Sequence, residues 1–185
     1  GKNAALIFAD AYDSTAPASY REHMMQTLIK AAFLNQGQIC LCTSRLLVER
    51  SIFDDFCAAF IQQTQRLKVA DPSLESTDQG AVVSLAHHTK IMTAIAQARQ
   101  EGGVIRCGGH RVTVPGRCAE GYFIAPTVIT GLGPNTATNQ EEIFGPVVTL
   151  QPFDRESEAV TLANATRYGL AASVWTRDNG RVQRL

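Results

Sequence analysis

The chain of 185 residues is short of most features that mark specialised proteins. It has no excess of either charge, because 17 Lys and Arg balance 17 Asp and Glu, and no basic run stands out. Charge therefore suggests neither a nucleic acid nor an anionic membrane as partner. No apolar run approaches the ~20 residues needed to span a bilayer as a helix. No signal-peptide pattern opens the sequence, and internal repeats and low-complexity segments are missing. A glycine-rich phosphate fingerprint after a strand is also lacking. Cysteine is sparse and odd in number, five in all, and Cys40-Leu41-Cys42 lacks the two-residue spacer of a redox or zinc pair. That excludes a disulfide framework and favours reduced thiols in a cytoplasmic protein. His87 and His88 are adjacent with no third ligand in sight, so no metal is expected.

What remains is an ordinary globular composition, 45% hydrophobic and 18% charged, with enough chain for one sizeable core. Strand-like and helix-like segments alternate. Ala4 to Ala9 is apolar without alternation, which suits a strand buried on both faces. A helix is expected from Tyr20 to Leu34, a strand from Arg45 to Glu49, and a helix capped by Ser51 with Phe53, Phe56, Cys57 and Phe60 facing the core. A short strand is expected at Ala81–Val83. The helix after it is capped by Ser84, turns Leu85, Met92, Ile95 and Ala96 inward, and carries His88 as a satisfied interior histidine. Then follow a strand at Val104–Cys107, a surface loop over Arg111–Tyr122 and strands at Phe123–Ile129 and Val147–Leu150. A helix from Asp154 to near Tyr168-Gly169, a strand at Ala171–Thr176 and a helix opened by Asp178 complete the pattern. The expected fold is α/β, a mainly parallel twisted sheet flanked by helices.

Two segments carry chemistry. In Asn35-Gln36-Gly37-Gln38-Ile39-Cys40-Leu41-Cys42 a helix runs into a bend at Gly37, and a cysteine follows three residues later. A thiol at such a junction, near unpaired backbone N–H groups, can act as a nucleophile. Taken alone, Cys40 reads as a buried structural thiol, since free cysteine is mostly a small hydrophobe. The second segment is Glu141-Glu142-Ile143-Phe144-Gly145-Pro146. Taken alone, Glu142 is a surface carboxylate and Phe144 a core aromatic.

Together, in this order, the two segments resemble the aldehyde dehydrogenase superfamily. Gly1-Lys2-Asn3, Gly121-Tyr122-Phe123 with Pro126-Thr127, and Tyr168-Gly169-Leu170-Ala171-Ala172 extend the resemblance over the whole chain. It implies that Cys40 is the nucleophile, forming a thiohemiacetal and then a thioester with an aldehyde. It implies that Glu142 holds the nicotinamide ribose, that Phe144 packs on the nicotinamide, and that Asn35, Gln36 and Gly37 shape the active-site turn. NAD, or less readily NADP, is the implied cofactor, an aldehyde the substrate, and a homo-oligomer the state of the full-length protein. Residues 1–185 then correspond to the catalytic domain, cut at both ends. The general-base glutamate would lie before Gly1, and the dinucleotide-binding domain lies elsewhere, so the segment alone is expected to be inactive. Ile39 to Arg45 most resembles the branch acting on 2-aminomuconic or 2-hydroxymuconic semialdehydes. The alternatives are a CoA-acylating aldehyde dehydrogenase, a cysteine hydrolase using one of the four histidines, and a non-catalytic thiol-bearing interaction domain.

Overall fold

The computed structural model describes all residues 1–185. Its elements run β1 (Asn3–Ile7), α1 (Ala9–Tyr12), α2 (Ala18–Phe33), β2 (Thr43–Glu49), α3 (Phe53–Gln65), α4 (Leu85–Gln100), β3 (Val104–Cys107), β4 (Arg111–Val112), β5 (Phe123–Ile124), β6 (Thr127–Thr130), α5 (Ala137–Gln140), β7 (Val147–Phe153), α6 (Glu156–Ala163), β8 (Ala172–Trp175) and α7 (Asn179–Arg184). Six strands form one sheet in the order β3-β6-β7-β2-β1-β8. Every neighbouring pair is parallel except β3 with β6, and β4 and β5 make a separate antiparallel ribbon.

The unbroken apolar run of β1 follows from its central place, since all five of its residues are buried. Side chains alternate across a strand, and the packing divides accordingly. Ala5, Ile7, Leu46, Val48, Val148 and Leu150 face α2 and α3, where Met24, Leu28, Phe33, Phe56 and Phe60 complete the largest core. Ala4, Leu6, Leu47 and Phe153 point to the other face and meet Ala159 of α6. Ile91, Ile95 and Ala98 of α4 close a third cluster over Ile129 and Val147. The sheet is thus covered on both sides, as the alternation of elements requires.

Several local expectations fail for definable reasons. Ser51 caps nothing: Arg50–Ile52 forms a 3₁₀ turn, and α3 starts behind it at Phe53 without a side-chain cap. Ala81–Val83 is not a strand, because its backbone is bound singly, Val82 N–H to the Tyr122 carbonyl (2.9 Å) and Val83 N–H to Gln38 Oε1 (3.0 Å). Ser84 does cap α4, accepting from His87 N–H at 3.2 Å. The buried stripe of that helix is Ile91, Ile95 and Ala98, leaving Leu85 57% exposed and Ala96 outside. His88 is not a satisfied histidine: its ring lies against Tyr122, but its buried Nε2 has no partner, and burial, then Arg111, lowers its pKa. The run Phe123–Ile129 is split into β5 and β6, since Pro126 has no N–H to give a ladder. Part of the expected loop, Arg111–Val112, pairs with β5. The helix expected from Asp154 to near Tyr168-Gly169 spans only Glu156–Ala163, and the chain then runs through turns to β8.

Candidate active site

The sheet order decides what meets at the site. Because β2 lies between β7 and β1, the segments that enter these parallel strands sit side by side at their amino-terminal ends. Those segments are Leu34–Cys42, Glu141–Pro146 and the start of the chain. Open α/β sheets more often bind ligands beyond the carboxyl ends of their strands.

After Phe33 the chain leaves the helix through a left-handed turn. Asn35 (φ 50°), Gln36 (φ 57°) and Gly37 (φ 68°) all take positive φ. Only the last is a glycine, so the turn stores backbone strain of the kind that concentrates at functional sites. It is closed by Gln38 N–H to the Asn35 carbonyl (3.0 Å) and by Asn35 Nδ2 to the Gln38 carbonyl (3.3 Å). Cys40 follows on an exposed turn. Its carbonyl accepts from the buried Asn3 side chain at 2.7 Å, and Asn3 Nδ2 also reaches the Cys42 carbonyl at 3.1 Å. Asn3 Oδ1 accepts from Ala171 N–H at 3.2 Å, so one amide ties the thiol turn to β1 and to the entry of β8.

The other cysteines differ. Cys42 is half-buried, with its thiol 3.6 Å from the Leu34 carbonyl, and burial raises its pKa. Cys57 is in the core, and burial pushes it up to about 12. Burial raises Cys107 and Cys118 as well. All five are free thiols.

The second motif touches the first through backbone. A Cβ placed on Gly37 would lie 2.2 Å from the Gly145 carbonyl oxygen, and one on Gly145 would lie 2.5 Å from Ile91 Cδ1. Close approach therefore dictates both glycines, and at Gly37 the positive φ adds a second reason. Phe144, just before, is left-handed at φ 60°. Its carbonyl accepts from His87 Nε2 at 2.6 Å, and the two rings meet edge-on at 6.2 Å. Glu142 N–H donates to the Tyr168 hydroxyl at 3.4 Å, and its carbonyl accepts from Lys90 Nζ at 3.2 Å. Between the motifs lies a cavity of about 20 Å³, bounded by Gly37, Ile39, Cys42, Glu142, Phe144 and Gly145. That is room for one water. A larger cleft of about 290 Å³, lined by Lys2, Arg45, Tyr168 and Leu170, contains none of Cys40, Glu142 or Phe144.

The fold brings Gly37, Glu142 and Phe144 around one small space and sets Cys40 on the neighbouring exposed turn. Asn35 and Gln36 contribute their backbone; the Gln36 amide itself lies beside Gly80. Sequence reasoning passed over Asn3 and His87. Asn3 was read only as the tail of a motif, and His87 was weighed only as a metal ligand.

The exposed Cys40 turn, Glu142 and Phe144 thus lie on adjoining segments at the amino-terminal ends of central parallel strands, in a thiol-bearing α/β fold. The chain belongs to the aldehyde dehydrogenase family, whose model matches residues 1–185. It is 44% identical to the 2-aminomuconic semialdehyde dehydrogenase of Danio rerio, over all of this chain and 37% of that protein. It is 40% identical to the 2-hydroxymuconic semialdehyde dehydrogenase of Pseudomonas sp. (strain CF600), over all of this chain and 36% of that protein. The crystal structure of betaine aldehyde dehydrogenase from Staphylococcus aureus in complex with NAD+ matches with TM-score 0.89 at 38% identity, over all of this chain and 35% of that one. The chain thus spans little more than a third of these relatives. No helix is long and apolar enough to cross a membrane.

Proposed function

We propose that this chain supplies the nucleophile and one wall of the cofactor site of an NAD-dependent aldehyde dehydrogenase acting on a muconic-type semialdehyde. The observation that carries the proposal is the contact of Gly37 with Gly145, which sets the Cys40 turn beside Glu142 and Phe144. The substrate class rests on relatives named for 2-aminomuconic and 2-hydroxymuconic semialdehydes.

The side chains suit a nicotinamide nucleotide. The Glu142 side chain is 33% exposed, and a carboxylate accepts hydrogen bonds from two adjacent ribose hydroxyls. Phe144 is partly exposed and offers a ring edge or face to a planar heterocycle. When bound there, NAD supplies the hydride acceptor. The Cys40 thiolate adds to the aldehyde carbon and gives a thiohemiacetal, whose oxyanion is stabilised by preorganised donors such as the Cys40 backbone N–H. Loss of hydride from that carbon leaves a thioester on Cys40, and water cleaves it to the carboxylate and the free thiol. The Asn3 bonds to the Cys40 and Cys42 carbonyls hold the turn while sulfur changes partners.

Five free thiols suit a reducing compartment, hence the cytoplasm. Exposed Leu170, Val174 and Val182 around β8 suit burial by further protein, hence a homo-oligomer of the full-length protein. In that protein, Cys40→Ala abolishes NADH formation from the semialdehyde. Turnover close to the parent's in the Cys40→Ala variant contradicts the proposal.

A further inference from the structure

We infer that His87 is a positioning residue for the nicotinamide site, holding the Phe144 ring in place through the Phe144 backbone carbonyl. The inference rests on the cofactor role proposed for Glu142 and Phe144 and adds a residue on a different element.

Phe144 is the only non-glycine residue outside the Asn35–Gln36 turn with a positive φ, 60°. An L-residue holds that conformation only against a steric penalty, so something must fix it. Three contacts from α4 converge on this point. His87 Nε2 lies 2.6 Å from the Phe144 carbonyl oxygen, which can only accept, so Nε2 carries the proton and donates. The His87 ring meets the Phe144 ring edge-on. Ile91, one turn further along the helix, fills the space against Gly145 that any side chain there would need.

His87 is itself fixed. It is the third residue after the Ser84 cap and donates its own N–H to Ser84 Oγ at 3.2 Å. Just before the cap, Val83 N–H donates to Gln38 Oε1 at 3.0 Å, and Gln38 belongs to the turn that precedes Cys40. The start of α4 therefore clasps the thiol turn with one hand and the Phe144 kink with the other. Without the His87 donor, the carbonyl can rotate, the kink can relax toward an ordinary φ, and the ring swings away from where a nicotinamide must lie. A mobile nicotinamide spends less time in reactive geometry. The His87 bonds go to Phe144 and Ser84 and none reaches Cys40, so addition of the aldehyde to that thiol does not depend on them.

The test uses the full-length protein and three variants, His87→Leu, His87→Gln and Glu142→Ala, in steady-state kinetics with NAD and aldehyde varied separately. Expected for His87→Leu is a rise in KM for NAD and a fall in kcat, each by about three- to tenfold, the scale of one lost hydrogen bond. KM for the aldehyde and the rate of Cys40 alkylation stay within about twofold of the parent. His87→Gln, whose amide can still donate to the carbonyl, recovers most of the loss. A purely structural role would lower thermal stability without separating NAD from aldehyde, and that outcome overturns the inference. If His87→Leu behaves like the parent while Glu142→Ala loses cofactor use, His87 has no such role and the cofactor reading stands. If Glu142→Ala is also unaffected, the cofactor reading itself is wrong and the inference falls with it. Should His87→Leu not fold, His87→Gln against His87→Asn makes the same comparison, because the shorter amide keeps polarity but cannot reach.

Discussion

Replacing Gly37 with alanine perturbs the site at the point where its two halves touch. Two separate penalties apply. The residue sits at φ 68°, where a Cβ costs ~1–2 kcal/mol. The added methyl would also lie 2.2 Å from the Gly145 carbonyl oxygen and 2.5 Å from its carbon, backbone atoms with no rotamer to escape into. Overpacking of this kind typically costs ~1–3 kcal/mol. The sum is roughly 2–5 kcal/mol, a large part of the ~5–15 kcal/mol that holds a domain together. Two other glycines separate the terms. Gly102 has φ 89° but open space around its missing Cβ, so Gly102→Ala should cost the strain alone, ~1–2 kcal/mol. Gly133 has open space and no positive φ, so Gly133→Ala should stay within about 0.5 kcal/mol of the parent. Urea denaturation of the three variants, with melting temperatures alongside, reads the series. At about 2–4 °C per kcal/mol for a chain of this size, Gly37→Ala should melt roughly 4–20 °C lower. A Gly37→Ala variant no less stable than Gly102→Ala would refute the close contact between the motifs.

Three further outcomes follow from the same structure. Brief alkylation with iodoacetamide, followed by peptide mass spectrometry, should label the exposed Cys40 ahead of Cys42, Cys57 and Cys107, whose thiols burial holds protonated; first labelling at Cys42 would contradict this. Burial, and then the Arg45 guanidinium, push Lys2 down to about 7 from 10.5, so between those values the unfolded chain binds the extra proton and stability rises with pH. Lys2→Met should therefore gain most over the parent below about pH 7, by at most ~5 kcal/mol less the lost bond to the Thr138 carbonyl, and nothing near pH 10.5; a gain that is flat with pH sinks the assignment. Residues 1–185 alone should form no NADH from aldehyde and should self-associate through exposed apolar surface around β8, so robust turnover by a monomeric fragment would mean that the cofactor binds elsewhere.

The fold was legible where local chemistry and burial agree. Ala4 to Ala9 reads as a strand because β1 is buried on both faces, and Val104–Cys107 is bounded by glycines that force turns on either side. The α4 stripe was misread because Leu85 is apolar by composition yet lies in the first turn, beyond the sheet's cover, where only tertiary contacts set the helix phase. The site was legible as two motifs but not as one place. Nothing in either segment states that β7 and β2 are neighbours; that follows from crossovers spanning a hundred residues of chain. Asn3 and His87 were missed for the same reason, since their partners, Cys40 and Phe144, are 37 and 57 positions away. Gly37 and Gly145 stand out as glycines, but the causes, Gly37 packed on the Gly145 backbone and Gly145 packed on the Ile91 side chain, follow only from the fold.

The central claim is that Cys40 is the atom to which the aldehyde becomes bonded. The direct measurement is to mix the full-length protein with NAD and a muconic semialdehyde, quench in acid within one turnover, and map the thioester by peptide mass spectrometry. The account predicts an acyl mass on the peptide carrying Cys40, lost in Cys40→Ala and absent without NAD. An acyl group on Cys42 or any other residue, or full turnover with Cys40 unmodified, would contradict it.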